Sequence, residues 1–262
     1  MTYQSILFAV DGGIARLTLN RPECLNSFNT AMHAEVRAAL AEVRAREARV
    51  LVLTGAGRGF CAGQDLNDRA VAPGGAAADL GESIERNYKP LVLALRSLPL
   101  PVIAAVNGVA AGAGANIALA CDLVVAARSA SFVQAFARLG LVPDSGGTWF
   151  LPRLVGTARA LGLAFLGEKL SAEQAAAWGL IWRCVEDAEL AAVVETLAQG
   201  FAAAPTRGLA RTKQAIYEGW GRTLAEQLDV ERDYQAELGR SEDYAEGVAA
   251  FAQKRTPRFS GK

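Results

Sequence analysis

The sequence predicts an α/β protein in which strands and helices alternate early in the chain and helices dominate later. Short apolar runs rich in β-branched residues recur in the first half, and the runs at residues 50–54 and 102–106 each precede a glycine-rich turn and a helical stretch. From Thr148 onward the chain is alanine-rich, with helical periodicity. A chain of 262 residues, 52% of them hydrophobic, can bury a sizeable core by itself.

The first elements are predicted from alternating and helical spacing. Three runs have the composition of strands: residues 6–10, 14–19 and 50–54. A hairpin turn at residues 11–13 is expected to join the first two, because it carries the sequence Asp-Gly-Gly. A helix is predicted over residues 29–48, with Asn29 or Thr30 as its N-cap.

The middle of the chain continues the alternation. Residues 67–82 contain a Pro-Gly-Gly sequence and are predicted to form a surface loop. A helix is predicted over residues 85–98, ending before Pro99. Further elements are predicted as strands at residues 102–106, 123–126 and 132–136, with a helix near residues 114–120.

The last part of the chain is predicted to be helical. Ser171 followed by Gln174 is a good capping start for its first short helix. The predicted helices cover residues 171–178, 187–203, 207–219 and 223–240. We divide the chain into a core of residues 1–200 and a C-terminal helical region of residues 201–262.

Composition limits the possible partners. The 27 basic and 27 acidic side chains give zero net charge, so no nucleic acid or acidic membrane partner is expected. The chain has a single histidine, His33, so a multi-histidine metal site is ruled out. We expect His33 to face solvent. Four cysteines lack CxxC spacing, the first residues do not resemble a signal peptide, and no apolar run is long enough to span a bilayer. These features favour a cytoplasmic protein without disulfides.

Two glycine-rich turns stand about fifty residues apart, at residues 59–66 (GFCAGQDL) and 107–116 (NGVAAGAGAN). Turns of this kind can direct backbone N–H groups at one point, and two such donors form an oxyanion hole. The alternative is that Gly and Ala only let helices pack closely on a sheet. A dinucleotide-binding turn is disfavoured because the third glycine is missing at the required spacing.

A third segment, residues 139–148 (LGLVPDSGGT), holds Asp144, the only carboxylate between Asp122 and Glu168. Asp144 or Ser145 could cap a helix that begins near Thr148, which is the structural interpretation. The functional interpretation is that Asp144 is an acid or base. Ser145 is a poor candidate nucleophile, since Gly-x-Ser-x-Gly is broken by a proline two residues before it.

Taken together, four segments resemble the enoyl-CoA hydratase/isomerase (crotonase) superfamily, in order and at the expected spacing: residues 20–28, 59–66, 107–122 and 143–148. The resemblance implies a crotonase-like α/β fold, a spiral of ββα units with a C-terminal helical trimerisation region. It also implies a homotrimer or dimer of trimers. The expected ligand is an acyl-CoA substrate whose CoA arrives as part of its thioester, with no separate cofactor and no metal.

Further segments resemble one subgroup of isomerases in this superfamily: residues 55–69, 110–114, 229–235 and 260–262. That resemblance implies isomerisation of 2-(1,2-epoxy-1,2-dihydrophenyl)acetyl-CoA to its oxepin-CoA in phenylacetate catabolism. A shift of a β,γ double bond to the α,β position is also expected. The alternatives are an aliphatic Δ3-Δ2-enoyl-CoA isomerase of fatty-acid oxidation and a non-catalytic RNA-binding relative.

The resemblance assigns roles by position. Ala62 and Ala113 match the two backbone donors of the oxyanion hole, and Asp144 matches the catalytic carboxylate of isomerase members. The CoA path is implied to be lined by Leu25, Asn26, Gln64, Asp65 and Leu66. A C-terminal pair, Phe251 and Lys254, is implied to pack on CoA, often from a neighbouring subunit.

Two departures from the superfamily pattern narrow the reaction. Asn116 and Phe136 occupy the positions at which hydratase members carry glutamates, and we expect both to line the substrate pocket. Neither side chain can transfer a proton at neutral pH. The sequence therefore predicts an isomerase that hydrates poorly. The apolar residues around Asp144 favour a carboxyl pKa raised towards neutrality.

Overall fold

The computed structural model describes residues 3–69 and 79–262. Their strands are β1 (Ile6–Asp11), β2 (Ile14–Leu19), β3 (Val50–Gly55), β4 (Gly59–Cys61), β5 (Val102–Val106), β6 (Val109–Ala111), β7 (Leu123–Ala127), β8 (Ser131–Val133), β9 (Lys169–Ser171) and β10 (Arg183–Val185). Their helices are α1 (Thr30–Ala45), α2 (Leu80–Ser83), α3 (Lys89–Ser97), α4 (Ala113–Leu119), α5 (Gly147–Leu166), α6 (Ala172–Ala177), α7 (Leu190–Ala202), α8 (Thr206–Gly219), α9 (Leu224–Leu238) and α10 (Glu242–Ala252).

A six-stranded sheet forms the centre of the molecule, in the order β1-β2-β3-β5-β7-β10. Strands β1 and β2 are antiparallel, and the expected turn joins them with positive φ at both Gly12 (55°) and Gly13 (77°). The other pairs are parallel. Every residue of β5 is buried, as is typical of a parallel strand covered on both faces.

A second sheet of four short strands has the order β4-β6-β8-β9. Each of β3, β5 and β7 in the large sheet is followed directly by a short strand in the second one, and then by turns or helix. Since β4, β6 and β8 are parallel neighbours, their carboxyl ends meet along one edge. This is the ββα spiral that the sequence predicted, and it brings three successive loops together.

Helix starts follow the predicted capping chemistry. Asn29 caps α1, its side chain accepting a hydrogen bond from the N–H of Met32. Ser171 caps α6, its hydroxyl accepting from the N–H of Gln174 at 3.2 Å. The helix predicted over residues 85–98 is observed as a turn of π-helix, Ile84–Tyr88, that runs into α3.

Several local predictions need correction. Of the strand predicted at 132–136, only residues up to Val133 are extended, and Ala135–Leu139 form a 3₁₀ turn. The helical part of the chain also contains the short strands β9 and β10, and α5 is interrupted at Gly156. The loop predicted at residues 67–82 includes part of the 3₁₀ turn Leu66–Arg69 and most of α2, and its residues 70–78 lie outside the described residues.

His33 is another correction, because it is buried instead of facing solvent. Its ring lies 4.5 Å from that of Tyr88 and 4.7 Å from that of Phe28, measured between ring centroids. The four cysteines are free, as expected. Across residues 3–69 and 79–262, no helix is long and apolar enough to span a membrane.

Candidate active site

The three loops at the carboxyl edge of the second sheet carry the predicted site. Gln64 follows β4, Ala113 follows β6, and Asp144 lies in the segment after β8. In open parallel sheets the carboxyl ends of strands are the usual place for ligands, because the loops there converge. The fold therefore gathers residues that are about eighty positions apart in the chain.

The two backbone donors at this edge are not the pair that the sequence predicted. The N–H of Ala62 is already used, since it donates to the carbonyl oxygen of Leu25 at 2.9 Å. Within the described part of the chain, the N–H groups of Gln64 and Ala113 have no hydrogen-bond acceptor. Gly63 (φ 91°) brings the two turns together, because a Cβ built on it would lie 3.3 Å from the Ala113 nitrogen.

Phe136 lies against the start of α4. Its Cζ atom is 3.7 Å from the place where a Cβ on Gly112 would be, and Gly112 directly precedes Ala113. The Phe136 side chain is 7% exposed. The ring therefore forms an apolar wall beside the Ala113 amide.

Asn116 is on the same face of α4 as Ala113, three residues further along. Its side chain is fully buried, and its Nδ2 donates to the main-chain carbonyl of Asp144 at 2.8 Å. Its Oδ1 accepts from Nε2 of Gln134 at 2.9 Å. Asn116 was predicted to line the pocket. In the structure its amide holds the loop that carries Asp144, residues 140–146, called the Asp144 loop. Sequence reasoning missed Gln134.

The Asp144 loop ends at the first turn of α5. The N-cap of α5 is Gly146 (φ 87°), so the capping position expected at Asp144 or Ser145 is one residue or more too early. Ser145 has a positive φ of 52°, and its hydroxyl donates to Oδ1 of Asp144 at 2.9 Å. The Asp144 carbonyl also accepts from the N–H of Gly147 at 2.8 Å. Asp144 itself is half-buried, so solvent or a ligand can reach it.

Two of the residues assigned to the CoA path hold the loops in place. Asn26 is fully buried, and its amide accepts from the N–H of Arg21 and donates to the carbonyls of Ala56 and Gly59, all at 2.9 Å. Asp65 pairs with Arg21 at 2.8 Å. Burial raises the pKa of Asp65, but the bonds from Arg21 and from the backbone of Asn67 outweigh it, so the pKa lies below its ordinary value.

The other residues of that path are placed differently. Leu25 has a left-handed backbone (φ 52°) and lies next to Gly59, and Leu66 is 63% exposed. The Gln64 side chain accepts from the Tyr88 hydroxyl at 2.8 Å, and its backbone N–H takes no part in this bond.

Phe251 and Lys254 lie at the C-terminal end of α10 and just beyond it. Phe251 is 88% exposed, and Lys254 has a positive φ of 54°. Phe251 borders a surface cavity of about 480 Å³ formed by the C-terminal helices and the chain end, and no other predicted site residue lines that cavity. Within one chain, this pair is therefore not brought to the edge that carries Gln64, Ala113 and Asp144.

Cys61 ends β4, one turn before Gln64, but it has the properties of an inert core residue. It is fully buried, and burial raises the pKa of its thiol to about 12. Its sulfur accepts from the N–H of Gly63 at 3.4 Å. No group of three or more His, Cys, Asp or Glu side chains in residues 3–69 and 79–262 is arranged to hold a metal ion.

This arrangement defines a class of enzyme: a ββα spiral with two unbonded backbone N–H groups and a nearby carboxylate, the parts needed to bind and reprotonate an enolate. The chain belongs to the enoyl-CoA hydratase/isomerase family, whose model matches residues 9–262. It is 60% identical over 258 residues to the 1,2-epoxyphenylacetyl-CoA isomerase of Escherichia coli, covering 98% of both chains.

Other relatives bear different descriptions. A probable enoyl-CoA hydratase of Rhodobacter capsulatus is 49% identical over 262 residues, with full coverage of both chains. The crystal structure of a putative enoyl-CoA hydratase/isomerase from Mycobacterium abscessus superposes with a TM-score of 0.94 at 33% identity, covering 98% of this chain and 100% of the other. The crotonase-like fold is thus confirmed.

Proposed function

We propose that this protein isomerises an acyl-CoA thioester, with Asp144 as its acid and base. The observation that carries the proposal is the pairing of one half-buried carboxylate with two unbonded amides. The positions that hydratase members fill with glutamates hold Asn116, whose Nδ2 and Oδ1 each make one hydrogen bond within the protein, and Phe136, an apolar ring. Proton movement within the substrate is then favoured over addition of water.

We assign the oxyanion hole to the N–H groups of Gln64 and Ala113, in place of Ala62 and Ala113. They would donate to the thioester oxygen and stabilise the negative charge that develops there when a proton leaves the α carbon. Removal of one such donor typically costs about 10²–10³-fold in rate. With a 3-enoyl-CoA, Asp144 would take the α proton and return it at the γ carbon, while Phe136 excludes water from the intermediate.

The substrate we favour is 2-(1,2-epoxy-1,2-dihydrophenyl)acetyl-CoA, because the Escherichia coli relative at 60% identity carries an epoxyphenylacetyl-CoA isomerase name. Expansion of the epoxide ring to an oxepin gains and loses no atoms, so it needs no redox cofactor. We propose that CoA enters only as part of this thioester and that the reaction serves phenylacetate catabolism.

A second candidate is double-bond migration in aliphatic 3-enoyl-CoA, since the same amides and carboxylate serve that reaction. Incubation with a panel of acyl-CoAs, read by product mass and ultraviolet spectrum, separates the two. We expect conversion of the aromatic epoxide and of a 3-enoyl-CoA. Conversion of the aliphatic substrate alone would favour the second candidate. Binding of RNA that weakens with salt, without turnover, would favour the non-catalytic alternative.

A hydration assay tests whether Asp144 is the single proton-transferring carboxylate of the proposed site. We expect crotonyl-CoA to be hydrated far more slowly than a 3-enoyl-CoA is isomerised, because a second proton-transferring group is missing at Asn116 and Phe136. Both rates are measured on one enzyme preparation. Hydration that equals or exceeds isomerisation would contradict the proposed reaction.

We further propose a homotrimer or dimer of trimers in the cytoplasm, in which Phe251 and Lys254 reach the CoA of a neighbouring subunit. The 88% exposure of Phe251 supports this proposal, since a large aromatic side chain left open on one chain is available to another. Light scattering coupled to gel filtration gives the subunit number. Phe251→Ala should raise KM for acyl-CoA more than it lowers kcat.

A further inference from the structure

We infer that Gln134 is a positioning residue for Asp144 and acts through the side chain of Asn116. The inference rests on the proposed function, because it concerns the carboxylate assigned there to proton transfer. Gln134 follows β8 directly, ten residues before Asp144, and is 3% exposed.

The directions of the hydrogen bonds link the three residues. A main-chain carbonyl can only accept, so Asn116 must present Nδ2–H to Asp144, at the observed 2.8 Å. Its Oδ1 is then left as an acceptor, and Gln134 must present Nε2–H to it, at 2.9 Å. Gln134 thus adds a second bond that holds the Asn116 amide in the orientation that the Asp144 carbonyl requires. If this donor were lost, Asn116 Oδ1 would lose this bond, and the amide would be held at its Asp144 end alone.

The burial of Asn116 and Gln134 makes the loss of the bond between them costly. The Asn116 side chain is fully buried, so bulk water cannot replace the missing donor. Gln134 Oε1 is also buried, and it has no hydrogen-bond partner within the described part of the chain. An unsatisfied buried oxygen lowers stability, which an apolar side chain of similar size would avoid. A role for Nε2 as donor accounts for an amide at this position.

The start of α5 is shaped around the same contact. A Cβ on Gly147 would lie 2.4 Å from Nδ2 of Asn116, so only glycine leaves room for that side chain. The N–H of Gly147 donates to the same Asp144 carbonyl, which therefore accepts two bonds from fixed donors. These two bonds hold the Asp144 main chain, and the Ser145 hydroxyl donates to its carboxylate, so the carboxylate is tied to the start of α5.

The test is Gln134→Met, which keeps the volume and removes the donor. We expect kcat for 3-enoyl-CoA isomerisation to fall about tenfold, the effect of one lost hydrogen bond, while KM stays within about twofold. The apparent pKa of the Asp144 limb in the pH profile of kcat should move. In an Asp144→Asn background the same substitution should cause no further loss, because the two residues act as a unit.

Thr54→Val is the control, since it removes a different, partly buried bond, from Thr54 Oγ1 to the Ala105 carbonyl at 2.8 Å. It should lower Tm and leave kcat within about twofold of the wild type. If Gln134→Met does not fold, Gln134→Glu is used; it offers Asn116 an acceptor where the donor was, and kcat should again fall.

Unchanged kcat and pH profile in a folded Gln134 variant would overturn the inference and leave the proposed function standing. An equal loss in the Asp144→Asn background would also overturn it, because the effect would then bypass Asp144. Near-normal turnover by Asp144→Asn alone would overturn the proposed function and this inference together.

Discussion

The two halves of the candidate site use different chemical groups. The half around Gln64 and Ala113 offers backbone N–H groups, and their positions depend on the path of the chain at Gly63. The half around Asp144 depends on side chains, with Asn116 and Ser145 each donating one hydrogen bond to that residue. We therefore expect the first half to tolerate changes of side chain but not of backbone geometry, and the second half to be sensitive to changes of side chain.

The largest effect should come from breaking the side-chain half. Asp144→Asn keeps the size of the side chain but removes the proton-transfer group, so kcat should fall about 10²–10⁴-fold. Turnover of a 3-enoyl-CoA is followed by ultraviolet absorbance, with circular dichroism to verify the fold. Asp11→Asn, at the exposed end of β1, is the control and should be neutral. Activity within a few-fold of wild type would remove Asp144 from the mechanism.

The backbone half is tested by a pair of neighbouring substitutions. Gly63→Ala forces a Cβ to within 2.9 Å of the Ala111 carbonyl at a φ of 91°, so the turn must shift and the rate should fall about 10²–10³-fold. Gln64→Ala keeps the N–H and loses only side-chain bonds, so its loss should stay within about tenfold. A larger loss for Gln64→Ala than for Gly63→Ala would reverse the assignment. A structure with a bound acyl-CoA should place the thioester oxygen near both amides.

The smallest effect concerns the ion pair that holds the Gln64 loop in place. Asp65→Asn should lower the free energy of unfolding at pH 7 by about 1–3 kcal/mol, since it weakens a mostly buried bond to Arg21. The folded pKa of Asp65 is below its ordinary 3.8, so this stability is present above pH 3.8 and is lost as pH falls through the folded pKa. Urea unfolding of wild type and variant should therefore converge below pH 3.8. A difference that persists at lower pH would contradict this account.

Much of the fold was predictable because local patterns agreed with it. The hairpin of β1 and β2 followed from alternation around Asp-Gly-Gly, and the caps Asn29 and Ser171 followed from their side-chain chemistry. The strands β9 and β10 were missed because three residues are too few to show a period of two. His33 was wrongly predicted to face solvent because its burial depends on two aromatic rings outside its own helix. Phe28 lies just before the start of α1, and Tyr88 is distant in sequence.

The site was predictable to the level of its loops, and less so for individual atoms. The motifs identified the three segments that meet at one sheet edge, including Ala113 and Asp144. Which amide points outward depends on backbone angles, and only the structure shows that Ala62 donates to Leu25 while Gln64 does not. The link from Gln134 to Asn116 joins side chains on two different loops, and neither residue alone signals it.

The state of Cys61 has a consequence for the chemistry proposed above. Epoxides alkylate thiolates, so an enzyme that holds one must keep nearby cysteines unreactive. Burial raises the pKa of Cys61 to about 12, so its thiol is protonated at pH 7, and the fully buried sulfur offers no surface for attack. The core that shapes the turn before Gln64 would therefore also protect the protein from the proposed epoxide substrate. Mass spectrometry after prolonged turnover of the epoxide should find Cys61 unmodified.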